Sequence, residues 1–302
     1  MELVEKIEKL KKERNAVILA HNYQVGEVQD VADFVGDSLE LSIKASKIDA
    51  DVIVFCGVHF MAETAKILSP EKTVLLPDKE AGCPMADMIT AEQLRALKAE
   101  HPGAKALCYV NTSAEVKAEC DLCCTSANAV RMVEEVLKDA KEIIFAPDRY
   151  LAAFVSGKTG REFITWRGFC PTHAKILPEH IAAARALHPE AVVMVHPECR
   201  PEVAALADVV VSTGGMSRFV KETKAKEIIV GTEPGMIHRL KKEAPDKIFY
   251  SLDAPITCPN MKKTTLEKVL WSLEDMKHRV EVSGEIAEKA RRCIEAMLNV
   301  SR

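Results

Sequence analysis

The chain has 302 residues, 28% charged and 48% apolar, with a net charge of −4 and mean hydropathy near zero. That is enough to bury a large core and divide into two or three domains of ordinary globular composition. The slight acidity, with no basic run interleaved with aromatics, speaks against a nucleic-acid surface, and no apolar run approaches the roughly 18 residues of a membrane span.

The opening stretch MELVEKIEKLKKERN predicts a charged amphipathic helix over residues 2–14. It lacks the apolar core of a signal peptide, so a cytoplasmic protein is expected. The strand VILA follows and ends in His21, Asn22, Tyr23 and Gln24. Next come a helix from about 27, a strand near 34, a helix from 38, a strand at 52–56, a helix at 60–68 and a strand at 73–76. Continuous apolar strands alternating with amphipathic helices mark parallel sheets covered on both faces. The same order runs again from a helix at 91–100 to FCPTH, and a third time from a helix at 179–187 to TCPNM. Helices at 264–276 and 283–299 close the chain and are expected to pack back on the first unit.

Several landmarks recur at one interval. Cys-Pro pairs stand at Cys83, Cys170 and Cys258, 87 and 88 residues apart. Asp33, Asp121 and Asp208 begin strands 88 and 87 residues apart, and five residues beyond each lies a hydroxyl: Ser38, Ser126, Thr213. The runs VILAHNY, ALCYVN and VVMVHPE end in His21 and Tyr23, in Tyr109 and Asn111, and in His196 and Glu198. VIVFCG, EIIFAPD and EIIVGTE occupy matching places ahead of each Cys-Pro. Such repetition indicates one unit present three times. The expected fold is α/β: three similar αβα domains with parallel sheets, over residues 1–88 (joined by 264–302), 89–175 and 176–263, related by pseudo-threefold symmetry around a central cavity. Ligands of parallel sheets gather beyond the strands' carboxyl ends, where every one of these polar landmarks stands.

Ten cysteines in a reducing compartment read as metal ligands, catalysts or buried apolar residues rather than disulfides. Cys56, Cys108, Cys123 and Cys124 lie in apolar strands, and Cys120, Cys199 and Cys293 on helical stretches. One thiolate per repeat, from Cys83, Cys170 and Cys258, gives a three-ligand metal set with a free position for substrate. Glu198 in a dry cavity has the raised proton affinity of a general base, and His21, His196 and His173 stand at strand ends or beside a ligand. Ser38, Ser126 and Thr213 read as helix N-caps that also suit a carboxylate or phosphate. Open alternatives are a zinc or electron-transfer protein using the same cysteines, a non-catalytic redox sensor built on Cys120, Cys123 and Cys124, and a sugar or phosphate binding protein.

HNYQ with DFVGDSLEL, YVNTSAE, CTSANA, VHPEC, STGGM, GTEPGMIHRL and NMKK resemble the quinolinate synthases, the A proteins of de novo NAD biosynthesis, over residues 15–270. The resemblance implies a [4Fe-4S] cluster on Cys83, Cys170 and Cys258, and condensation of iminoaspartate with dihydroxyacetone phosphate to quinolinate, phosphate and two waters. The imine would come from an aspartate oxidase or dehydrogenase. Carried over by motif, Ser126, Ser212, Thr213 and His196 hold carboxylates, while Tyr109 and Asn111 contact the ring-forming intermediate. The same resemblance implies that His21, Tyr23 and Ser38 handle the triose phosphate, that Glu198 is the acid/base, and that His173 stands beside the cluster. The CxxCxxC group near the C-terminus of longer relatives is reduced here to Cys258.

Overall fold

A computed structural model describes residues 2–300. The first sheet contains β1 (Ala16–His21), β2 (Phe34–Gly36), β3 (Val52–Cys56) and β4 (Thr73–Leu75) in the order β2-β1-β3-β4. The second contains β5 (Lys105–Tyr109), β6 (Leu122–Cys124), β7 (Ile143–Ala146) and β8 (Ile164–Thr165), ordered β6-β5-β7-β8. The third contains β9 (Val192–Val195), β10 (Val209–Val210), β11 (Glu227–Gly231) and β12 (Ile248–Ser251), ordered β10-β9-β11-β12. Every pairing is parallel. The central strands are buried almost throughout, as expected where helices cover both faces and force the crossover topology.

The three aspartate landmarks have one local job. Asp33 accepts from Ile18 N at 2.7 Å, Asp121 from Ala106 N at 2.9 Å and Asp208 from Val193 N at 2.8 Å. In return the amides of Asp33, Asp121 and Asp208 donate to the carbonyls of the same three residues. Each aspartate therefore fixes the register of an edge strand on its central strand, β2 on β1, β6 on β5 and β10 on β9, at the end remote from the polar loops.

The two C-terminal helices divide. Leu266–Asp275 packs on the N-terminal helix Leu3–Glu13, while Gly284–Val300 lies chiefly on Ala114–Glu119 and β6, with a smaller contact on His59–Leu68. The apolar stripe of that last helix buries Cys293, Ile294, Met297 and Leu298, and Cys293 Sγ stands 2.7 Å from Cys123 Sγ. Cys108 and Cys120 are joined in a disulfide, where the compartment argument predicted none. The short helix Ala114–Glu119 carries Cys120 back beside β5, which sets its Cα 6.1 Å from that of Cys108, within bridging reach.

Polar contacts join the first and third units beside the apolar core they share. Arg239 donates to Asn22 Oδ1 at 2.7 Å and Glu40 Oε2 at 3.1 Å from one nitrogen, and to Glu243 Oε1 at 2.9 Å from another. Gly214 donates its amide to Asp37 Oδ2, and a Cβ there would stand 2.5 Å from that oxygen, so only glycine permits the approach. Arg239→Ala removes the one group that serves all three acceptors. It is expected to lower unfolding free energy by about 2 kcal/mol in urea titration, between the ranges for exposed and buried ion pairs.

Candidate active site and metal centre

The carboxyl ends of β1, β5 and β9 open on one cavity of about 170 Å³ lined by Cys83, Cys170 and Cys258 with their prolines. His21, Tyr23, Ser38, Tyr109, Asn111, Ser126, His173, His196, Glu198 and Thr213 also line it. Of the candidate catalytic, substrate-binding and metal residues only Ser212 stands apart: it caps the helix Thr213–Glu222, accepting from Gly215 N at 3.1 Å. The caps fall elsewhere than expected. Asp37 caps the helix that starts at Ser38 and Ser212 the one that starts at Thr213, so the hydroxyls of Ser38 and Thr213 are released from capping. Ser126 caps nothing either, and its Oγ is 3.2 Å from His196 Nε2.

Glu198 is the hub. Tyr109 donates its hydroxyl to Oε1 at 2.5 Å, His173 Nδ1 is 2.8 Å from Oε2, and His196 Nδ1 is 3.9 Å away. His173 Nδ1 is also 3.2 Å from Cys170 Sγ, and its Nε2 is 2.8 Å from Thr232 Oγ1, which in turn lies 2.7 Å from the Tyr23 hydroxyl. Thr232 is fully buried and escaped the sequence reading because a threonine directly after a strand carries no distinctive signal. His173 and His196 stack at 4.8 Å between centroids. The same turn occurs twice: Tyr23 N donates to His21 Nδ1 and Glu198 N to His196 Nδ1, each at 3.2 Å.

Burial sets the protonation states, with one correction. It drives His21 and His196 down to about 3, against the opposing pull of Glu198, so both rings are neutral. It pushes the Tyr23 and Tyr109 phenols well up, with Glu198 adding to the effect. Glu198 goes the other way from expectation. Burial alone raises its proton affinity, but His173, His196 and the Tyr109 hydroxyl outweigh it and hold the carboxyl below the ordinary carboxylate range. Asp148, buried behind Cys170 and near Glu198, is pushed up to about 8.

The donor set fits a soft metal or an iron–sulfur centre. Burial pushes the Cys83 thiol up to about 12 and Cys170 well above its usual value, and each is raised further by a neighbour in the set, Cys83 by Cys258 and Cys170 by Cys83. All three line the one cavity, and thiols held neutral by burial ionise there only against a cation. Cys170, His173 and Glu198 also present ligand atoms within 4.8 Å of one another. Lys175, exposed and two residues beyond His173, is the sole lysine or arginine along the cavity wall among the described residues. The buried strand cysteines Cys56 and Cys124, and Cys199, do not line the cavity.

The neutral histidines give a pH signature. An unfolded histidine titrates near 6.5, so between that pH and about 3 the unfolded chain binds the additional protons and stability falls as pH falls. The loss approaches about 1.4 kcal/mol per pH unit for each ring. In the metal-free protein, His21→Asn with His196→Asn is expected to flatten the decline between pH 6 and 4 measured by urea unfolding.

The family model described as "Quinolinate synthetase A protein" matches residues 5–299. A quinolinate synthase of Dehalococcoides mccartyi (strain CBDB1) is 59% identical over 295 residues, covering 98% of this chain and 97% of the relative. One from Thermodesulfovibrio yellowstonii is 55% identical, covering 98% of each chain. Another from Methanosarcina barkeri is 53% identical, covering 99% of this chain and 98% of its own.

Proposed function

The chain belongs to the quinolinate synthetase A protein family, and on that premise we propose that it is a quinolinate synthase. It condenses iminoaspartate with dihydroxyacetone phosphate to give quinolinate, phosphate and two waters. Cys83, Cys170 and Cys258 would hold a [4Fe-4S] cluster. When bound, such a cluster would supply Lewis-acid chemistry toward a substrate hydroxyl or carboxylate. The observation that carries the reading is the meeting of Glu198 with Tyr109 and His173, beside Cys170, in a cavity walled by three cysteines.

Glu198, ionised at rest, is the proton acceptor for the deprotonations that precede loss of water, and the Tyr109 phenol on Oε1 returns a proton to the same region. The neutral His196 ring and the Ser126 hydroxyl, with Thr213, hold substrate carboxylates by hydrogen bonds without adding a buried charge. Asn111 Oδ1 is buried without a partner, an acceptor ready for a donor on the intermediate. Tyr23, Thr232 and His173 form a line of exchangeable protons from the triose end to the cysteine end, with His21 and Ser38 completing the triose site. The two substrates bring two carboxylates and a phosphate, and Lys175 is placed to meet that charge where the wall reaches solvent.

The test is an anaerobic assay of quinolinate from the two substrates with iron and sulfide quantified on the same sample. Glu198→Gln should keep the iron content and lower kcat by about 10²–10⁴-fold. A wild-type protein with full iron and sulfide that makes no quinolinate overturns the proposal. Lys175→Met should raise KM for the triose phosphate about 3- to 10-fold with kcat little changed, the pattern of an interaction shared by ground and transition states.

A further inference from the structure

Two buried acidic side chains, Asp148 and Glu233, have no part in the chemistry above. The strand ladders make them equivalent. The pairs Ala20↔Cys56, Cys108↔Ala146 and Val195↔Gly231 end the central pairing of the three sheets. Two residues beyond stand Val58, Asp148 and Glu233. Each acid turns toward the Cys-Pro loop of its own unit. Glu233 accepts from Cys258 N at 3.3 Å and Gly235 N at 2.7 Å, and pairs with Lys262 Nζ at 2.8 Å.

Asp148 gives one oxygen to capping the helix Arg149–Thr159, accepting from Tyr150 N at 2.7 Å and Leu151 N at 3.0 Å. Its other oxygen, Oδ2, is buried with no hydrogen-bond partner, and the backbone amide of Cys170 faces the carboxyl. An acid that served only as a cap would turn its second oxygen to water. The chain of the loop is drawn alongside as well, with Arg149 N donating to Gly168 O at 2.9 Å. In the first unit Val58 offers no acceptor, and there His59 N donates to Ala81 O at 2.8 Å, tying the strand end to the loop through backbone alone.

We propose that Asp148 and Glu233 are positioning residues for Cys170 and Cys258. Glu233 holds the amide of the Cys258 loop and Asp148 stands against that of the Cys170 loop, so that the sulfurs are presented with little reorganisation, while the Cys83 arm is held by the main chain. This rests on the reading that the three cysteines hold an iron–sulfur cluster. An isosteric amide cannot substitute at both oxygens, because its NH₂ would confront a backbone N–H, donor against donor.

The experiment is anaerobic reconstitution of the full chain with iron and sulfide, followed by visible absorbance, metal analysis and the rate of iron loss to a chelator. Asp148→Asn and Glu233→Gln are expected to lose iron about 10- to 100-fold faster than wild type, the usual effect of removing a group that orients a metal ligand. Asp208→Asn weakens a strand edge without touching a cysteine loop and is expected to lose iron at the wild-type rate. Wild-type rates in the Asn and Gln variants, or equal acceleration in Asp208→Asn, would overturn the assignment. If the Asn and Gln variants do not fold, Asp148→Glu and Glu233→Asp keep the carboxyl group but change its reach; faster iron loss is expected, and wild-type rates count against the assignment. Failure of the wild type to take up iron and sulfide would instead remove the functional reading itself.

Discussion

A carboxylate closed off from water is the constraint on which the site depends. Glu198 is almost completely buried, and an isolated charge in such a place costs several kcal/mol. It is tolerated because the Tyr109 hydroxyl and His173 Nδ1 stand against its two oxygens, with the His196 ring alongside, and Tyr109 and His173 come from beyond the third sheet's own strands. Moving the second sheet relative to the third would strip Glu198 of two partners at once. The charge therefore serves as a lock on the relative placement of the units as well as a chemical group.

The other sheet-to-sheet contacts around the cavity follow the same rule. Asn22 donates to Thr213, the Tyr23 hydroxyl meets Thr232, and Ser126 meets His196. In each pair one residue follows a strand of one sheet and its partner follows a strand of another, Thr213 as the first residue of a helix. Parallel sheets produce this naturally, because their crossovers leave the carboxyl-end loops free of sheet pairing and available to neighbours. Hydrophobic burial forms a main core to which all three sheets contribute, whereas hydrogen bonds between strand-end residues line the cavity.

Much of this was legible in the sequence because a parallel strand under helices is a continuous apolar run, and because the landmarks repeat. The central strands, the three cysteines and nearly all the polar wall were visible as residues at matching strand ends. What escaped depends on relations between distant residues. The caps are one position off because Asp37 and Ser212 compete with the hydroxyls that follow them, and no local pattern says which will win. The Cys108 to Cys120 disulfide depends on a short helix folding back, and the seat of the last helix on which apolar face is left uncovered by the second sheet. The direction of the Glu198 shift could not be read from a lone glutamate, since burial and its partners act oppositely and only the distances decide between them.

The repeats also show how one scaffold divides its labour. The position that ends the central strand, or follows it directly, holds His21, Tyr109 and His196, and all three face the cavity. Two residues later stand Tyr23, Asn111 and Glu198, again all on the wall. Each copy thus offers the same two places and fills them with different chemistry: a neutral ring with a phenol, a phenol with an amide, a neutral ring with a carboxylate. A symmetric filling could not work. Three glutamates at the second place would crowd like charges that no surrounding donors could satisfy, and three tyrosines would leave no base. The copies keep what folding needs in common, the aspartate that fixes each edge strand, and differ where the cavity requires an ordered set of unlike groups.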